Sequence, residues 1–369
     1  KDHKKVMVDS GTIPIYGTGG QMGYASIALY DKPSVLIGRK GTIGKVKYVE
    51  QPFWTIDTLF YTMIDTQIVL PEYFYYLMSL IDLNMYNEGT TIPSLRVETL
   101  NRLEFDIPSI EEQVKVLSYL RPINEKIKVN EKINNNLEEQ IKLLCHSWLV
   151  DYAPFGYRQP SSWSTVSLSS IATFISGYSY KGMELSESDT AMATIKNFER
   201  NGGFKLSGYK EIKPSSKLKP NQYADLFDTL VAHTDLTQNA EVIGNSELVL
   251  SKSGYKDIVF SMDLVKVLPK EGVSKFLLAA LLRDGRFKTH ALGYVNGTTV
   301  LHLSKKALQE FELLLPLDLN ELAPLAKAIE AMYRQIAANI DESIQLTNLR
   351  DTLIPKIMSG KLDLSHIEL

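Results

Sequence analysis

The sequence predicts an α+β protein: two mixed α/β domains separated by two long antiparallel coiled-coil helices, with a pseudo-two-fold internal repeat. Three observations predict it. The segment Asn87-Glu88-Gly89-Thr90-Thr91-Ile92 recurs as Val295-Asn296-Gly297-Thr298-Thr299-Val300, 208 residues later and without a gap for more than twenty positions. Gly89, Thr90, Thr91, Leu95, Leu100, Glu104 and Pro108 match Gly297, Thr298, Thr299, Leu303, Leu308, Glu312 and Pro316. About one or two identities are expected by chance in such a window, and so long a period means duplicated domains rather than a solenoid. The second observation is a β-leaning, Gly-rich stretch in each copy, and the third is a long apolar stripe at helical spacing that comes after it.

In chain order, Val35-Leu36-Ile37 and Lys45-Val46-Lys47-Tyr48-Val49 read as strands joined by a Gly-rich turn. Phe53 to Ile64 reads as one buried strand and Tyr73 to Ile81 as a short apolar helix. The Gly-Thr-Thr element comes next, then a strand ending at Pro108 or Pro316. Beyond Pro108, Val116, Leu120, Ile123, Ile127, Asn130, Asn134, Leu137, Ile141 and Leu144 alternate by four and three, an a/d seam. Leu325, Ile329, Met332, Ile336, Ile340, Ile344 and Leu353 repeat it less strictly. The bland reading packs each helix on its own domain; the stripes are longer than one small domain needs, which favours packing on each other, antiparallel. Forty residues of helix span about 60 Å. Asn130 and Asn134 at the seam cost stability and fix register. Pro122 is expected to kink the helix or mark its true start. The resulting divisions are 1–109, 110–150, 151–316 and 317–369.

Composition bounds the function. The chain has 369 residues, 44% of them apolar, and a formal net charge of -3, so no global basicity advertises nucleic acid. Its forty Lys and Arg need only be unevenly spread to build a local basic face. A single cysteine, Cys145, excludes an intrachain disulfide and a Cys-based metal site and fits a reducing, cytoplasmic setting. No apolar run reaches the roughly 18–20 residues of a membrane span. The polar start Lys1-Asp2-His3-Lys4-Lys5 reads like a chain beginning partway into a domain.

Catalytic signatures are missing. Gly38-Arg39-Lys40-Gly41-Thr42-Ile43-Gly44 lacks the Gly-Lys-Ser/Thr ending of a phosphate loop. There is no dinucleotide fingerprint, no His-Glu-x-x-His and no Cys/His cluster. His233, in Ala232-His233-Thr234-Asp235, is the one histidine in a suggestive loop, and no nucleophile elbow accompanies it.

Pro108-Ser109-Ile110-Glu111-Glu112-Gln113 opens the first long helix. An Asn-rich middle (Asn130, Asn134, Asn135, Asn136) leads to Cys145-His146-Ser147-Trp148-Leu149-Val150-Asp151-Tyr152-Ala153-Pro154-Phe155. This region resembles the central conserved region of specificity subunits of Type I restriction–modification systems. Ile13 to Gly20, Gly23-Tyr24, Ile37 to Gly41 and Thr55 to Thr58 resemble the first target-recognition domain, and Leu349 to Lys356 through Ser359 to Leu362 resembles the family's C-terminal end. The first domain lacks a counterpart of Trp163 to Ile171, so comparison with the second copy predicts about thirty further residues ahead of it.

The resemblance implies a non-catalytic subunit with two target-recognition domains in inverted orientation, each reading one half of a split, asymmetric site in double-stranded DNA. The helices would set the spacing and dock two modification (methyltransferase) subunits, and restriction (translocase–nuclease) subunits would join for cleavage. S-adenosylmethionine, ATP and Mg²⁺ would be bound by those partners and none by this chain. Two other readings stay open: a coiled-coil scaffold that never touches DNA, and the reader of a related system whose partner fuses methylation and cleavage.

Residue types suggest which side chains would touch DNA. Residues 32–47 hold Lys32, Arg39, Lys40, Lys45 and Lys47 and no acid. Arg39 or Lys40 suits guanine, with Thr42 and Lys45 beside them for phosphate. Tyr16, Gln21 and Tyr24 lie in or near a Gly-rich loop. In the second domain the candidates are Tyr178, Tyr180 and Lys181, then Lys196, Asn197 and Arg200, then Thr234, Gln238 and Asn239. The repeated Gly-Thr-Thr element reads as structural or partner-facing, because a base-reading element should differ between halves.

Overall fold

The structure is a computed structural model that describes residues 2–237 and 239–359. The chain divides into two compact units, Lys1–Lys126 with Leu346–Leu369, and Ile127–Gln345. The α+β class is as the sequence predicts, and each long helix contributes to both units.

In the first unit, the strand Ser34–Gly38 is the centre of a three-stranded antiparallel sheet, between Val46–Val49 and Leu59–Tyr61. It is buried on both faces, which its unbroken apolar run requires. Val35 and Ile37 pack with Ile43, Met78, Leu83 and Leu95. Leu36, pointing the other way, packs with Tyr16, Val49, Phe53 and Leu59. A second sheet orders Met7–Val8, Gly20–Ala25, Ile13–Gly17 and Trp54–Thr55.

Two expectations fail here. The single strand expected over 53–64 is two short strands, Trp54–Thr55 and Leu59–Tyr61, in different sheets. The strand expected to end at Pro108 is absent among the described residues, whereas its repeat Glu312–Pro316 is a strand paired antiparallel with Trp163–Ser167. A strand needs a ladder partner, and among the described residues none pairs with residues 104–108.

The first long helix, Ile110–Leu149, begins on a capping box. The Glu112 carboxylate accepts from the Ser109 amide at 2.9 Å and hydroxyl at 2.8 Å, and the Ser109 hydroxyl accepts from the Glu112 amide. Those Ser109 bonds hold the Glu112 carboxyl below its usual range. Gln113, fully buried, accepts from the Leu70 amide at 2.8 Å and donates to the carbonyls of Ile68 and Pro108, each at 2.9 Å. Pro122 neither starts nor ends the helix but lies inside it, with the start fixed twelve residues earlier by the Ser109 cap. Val116, Leu117 and Leu120 then pack with Tyr73, Tyr76 and, from the end of the second long helix (Ala323–Met358), Ile354 and Ile357.

In the second unit, four antiparallel strands run in the order Ser246–Leu248, Thr229–Ala232, Leu264–Pro269, Ala172–Ser176. A second sheet holds the parallel pair Thr190–Ala193 and Asp257–Phe260. A third places Thr234–Asp235 against Leu301–Leu303. The apolar helix Lys275–Arg283 lies in the core with Leu325, Ile329, Tyr333 and Ile336 of the second long helix and Ile141 and Cys145 of the first.

Within each unit the long helices run antiparallel. Leu117 meets Ile354 and Ile357 in one; Asn130 meets Asn339 and Asn134 meets Ile336 in the other. The seam asparagines are bonded across it. The Asn130 amide donates to the Glu342 carboxylate at 2.7 Å and the Ser343 hydroxyl at 3.2 Å, and Asn134 accepts from Asn339 at 2.8 Å. Polar partners that fit at one alignment only fix the register.

Candidate nucleic-acid interface

In the first domain the chain leaves the buried strand Ser34–Gly38 and turns outward at Arg39. Gly38 is obligatory: a Cβ there would lie 2.1 Å from the Thr42 carbonyl oxygen, and Gly41 takes a φ of +84°. The Arg39 backbone is held on both sides, its amide donating to Thr58 O at 2.8 Å and its carbonyl accepting from the Leu95 amide at 2.9 Å. The side chains of Arg39, Lys40, Thr42 and Lys45 are exposed. Among the described residues no carboxylate pairs with Arg39, Lys40 or Lys45. The Arg39 guanidinium lies 5.5 Å from the Phe60 ring centre, which steadies it without neutralising it. Rigid backbone with free cations suits an anionic surface.

The other first-domain candidates are placed differently. Tyr16 is a core residue, 6% exposed, beneath the Lys47 ammonium at 4.2 Å, and burial raises its hydroxyl pKa. Packing, not base contact, is its role. Gln21 and Tyr24 are on the strand Gly20–Ala25, not in a loop. A β-bulge between them sets Gln21 opposite Tyr16 and Tyr24 opposite Pro14, two residues apart on the neighbouring strand, so both lie on one face of the sheet.

In the second domain, Lys196 and Arg200 join Lys205 and Lys210 around a groove of about 570 Å³ whose far wall is Asp235, Leu236 and Thr237. Arg200 is anchored at 3.1 Å by Glu241, and Lys205 at 3.3 Å by Glu199. The wall is fixed from within. Burial alone would raise the Asp235 carboxyl, but bonds from the Thr237, Val242 and Ile243 amides and the Thr237 hydroxyl hold it below its usual range. From the other side Lys288 donates to the carbonyls of Ala240, Glu241 and Ile243 and to the Asn245 side chain.

Three second-domain candidates are structural. Asn197 is fully buried; its side chain accepts from the Thr194 amide at 2.9 Å and donates to Lys205 O at 2.8 Å. Tyr178 is buried, its hydroxyl donating to Glu184 at 2.6 Å with Ser215 at 2.9 Å. Thr234 is buried in strand pairing with His302, and its hydroxyl donates to Asp263 at 3.2 Å. Tyr180 is half-buried against the Tyr178 cluster, while Lys181 and Asn239 are exposed. Gln238 lies outside the described residues. Among the described residues no His/Cys/Asp/Glu group could hold a metal ion, and no helix is long and apolar enough to cross a membrane.

Residues 1–139 match the family model described as the Type I restriction modification DNA specificity domain. The Type I restriction enzyme MjaIX specificity subunit of Methanocaldococcus jannaschii is 22% identical over 359 residues, covering 93% of this chain and 80% of that protein. Over residues 1–139 the chain carries the Type I restriction modification DNA specificity domain. A second relative, the Type I restriction enzyme HindI specificity subunit of Haemophilus influenzae, is 22% identical over 363 residues, covering 81% of this chain and 79% of its own length. The specificity-subunit fold agrees. A crystal structure of the Type I restriction–modification S subunit from M. genitalium aligns with a TM-score of 0.56 at 15% identity, covering 96% of this chain and 90% of that one.

In the second domain, sequence reasoning missed Lys205, Lys210 and Leu236, which complete the groove. Lys205 and Lys210 are separated along the chain from the Lys196–Arg200 cluster by a Gly-containing turn, and only the fold joins them. Leu236 carried a readable signal: a large apolar residue in a polar loop, and it is 66% exposed.

Proposed function

We propose that this chain is the non-catalytic DNA-reading subunit of a Type I restriction–modification complex. Each recognition domain reads one half of a bipartite, asymmetric site in double-stranded DNA. The long helices set the spacing between half-sites and dock two modification subunits; restriction subunits join for cleavage. S-adenosylmethionine, ATP and Mg²⁺ are held by those partners, in the cytoplasm. The observation that carries the reading is a duplicated frame bearing two different basic faces. Arg39, Lys40 and Lys45 stand exposed with no carboxylate partner among the described residues in one copy, and Lys196, Arg200, Lys205 and Lys210 line a groove in the other. Phosphate attraction is common to any DNA, while different side chains beside it read different bases. Docking is supported by exposed apolar residues on the outer side of the first long helix, Val129, Ile133 and Leu143.

The test is genome-wide methylation mapping in cells carrying the modification subunit, with and without this gene. Methylation at one bipartite motif is expected to vanish with the gene. An unchanged methylome with an active modification subunit overturns the proposal.

A further inference from the structure

The Gly-Thr-Thr element was expected to be structural or partner-facing; its surroundings point elsewhere. In the first domain Gly89 sits in a turn where a Cβ would lie 2.0 Å from the Ile92 carbonyl oxygen, and in the second a Cβ on Gly297 would lie 2.2 Å from that of Val300. Glycine is thus required at the repeated position in both copies, although Gly297 takes a φ of +114° and Gly89 does not take a left-handed one. The residues just beyond the turn are bonded alike in both copies. The Leu95 amide donates to Arg39 O at 2.9 Å, and the Leu303 amide, at the repeat position, donates to His233 O at 2.8 Å. In each half, therefore, the repeated turn is bonded to the segment that failed to repeat. In the first half it also touches the free cations, with Lys40 bridged to Ser94 and the Gly41 amide donating to Pro93 O at 2.8 Å. In the second, His302 pairs with Thr234 on the adjoining strand.

Thr90, Thr91, Thr298 and Thr299 are all exposed, so the core does not demand them. Beside them the apolar position Ile92, exposed, recurs as half-buried Val300, while exposed Met85 corresponds to Gly293; the two hydroxyls recur exposed in both copies. A shared polar surface beside two different readers suits the one feature that two different half-sites share, the sugar–phosphate backbone.

We infer that the Gly89-Thr90-Thr91 and Gly297-Thr298-Thr299 turns are sequence-independent phosphate-binding sites, one per domain, that seat the neighbouring base-reading segment on the duplex. Thr hydroxyls and turn amides are ordinary donors to phosphate oxygens, and such contacts set register without specifying sequence. The inference rests on the DNA-reading proposal above.

The test uses the full chain assembled with its modification subunits. T90V/T91V, T298V/T299V and the four-site variant are titrated with duplexes carrying both half-sites or neither, across a salt series, and their methylomes are mapped. Each pair of valines is expected to weaken both duplexes by the same factor, about three- to tenfold. The motif is unchanged, and so is the salt slope, because no cation has been removed. The matching Thr→Ser variants bind like the parent. An altered half-site, loss of modification-subunit assembly, serine variants as weak as the valine ones, or unchanged affinity would each overturn the inference. An unmutated complex that ignores DNA would instead overturn the DNA-reading proposal.

Discussion

Arg39 illustrates how a reading residue is made. Its backbone is held by Thr58 and Leu95, its guanidinium rests near Phe60, and among the described residues no carboxylate pairs with it. A bidentate arginine–guanine contact discriminates by about 1–3 kcal/mol. Arg39→Ala is therefore expected to relax the first half-site by roughly ten- to a hundredfold and leave the second half-site's preference intact, as read by methylome mapping. Equal change at both half-sites would mark Arg39 as a backbone or folding residue. Tyr178 illustrates the opposite case, a tyrosine bound into the frame. Bonds from its hydroxyl and from the Lys181 and Ser215 amides bring the Glu184 carboxyl down to about 2. A depressed carboxyl contributes stability that is present above the ordinary glutamate pKa of about 4.3 and lost as pH falls through the folded value. Thermal stability of Glu184→Gln is thus expected to trail the parent at pH 7, with the gap closing between about pH 4.3 and pH 2. A gap that stays constant over that window would contradict the assignment. The sequence offered Asn197, Tyr178 and Thr234 as readers by residue type alone. Type does not report burial, and all three have their polar atoms engaged inside the domain.

At the scale of elements, legibility tracked period and punctuation. The strands Ser34–Gly38 and Val46–Val49 and the helix Pro71–Ser79 were readable because apolar runs were bounded by glycine and proline. The stretch 53–64 was misread because an apolar run does not announce where a strand changes sheet. Pro122 does not mark the helix start, one of the two outcomes expected of it, because its local penalty of about 3 kcal/mol is outweighed by the packing on either side. Val116, Leu117 and Leu120 before it and Ile141 and Cys145 beyond it are all buried, and they hold one continuous helix. The helix start is anchored by Gln113. Replacing it with leucine strands a buried Leu70 amide and two carbonyls, each worth about 1–3 kcal/mol. Gln113→Leu is expected to destabilise the first unit by about 3 kcal/mol, seen as an earlier urea transition for that unit alone. A midpoint indistinguishable from the parent's would show that water substitutes for the side chain.

For the whole molecule, the duplication was the most legible feature, because identities at one fixed offset need no structural knowledge to detect. What the sequence could not give was how the copies are completed. The second copy pairs Glu312–Pro316 with its own Trp163–Ser167, while among the described residues no strand pairs with the repeat segment 104–108. The proposed spacing role makes a prediction at this scale. Deleting one heptad from each long helix, at facing positions of the seam, keeps the apolar stripes in phase. It is expected to change the number of unread base pairs between the half-sites and preserve both half-site sequences. A changed half-site sequence would contradict the spacing role.

The division of the chain also sets an order of events during synthesis. The second unit is one continuous segment, Ile127–Gln345, and every strand and helix half it needs has been made once Gln345 leaves the ribosome. The first unit begins earlier but closes last, because Val116, Leu117 and Leu120 stay partly uncovered until Ile354 and Ile357 arrive. Domains fold as units as they emerge, and uncovered apolar surface invites aggregation. The half of the protein translated first is therefore the one with the longest wait for its final contacts.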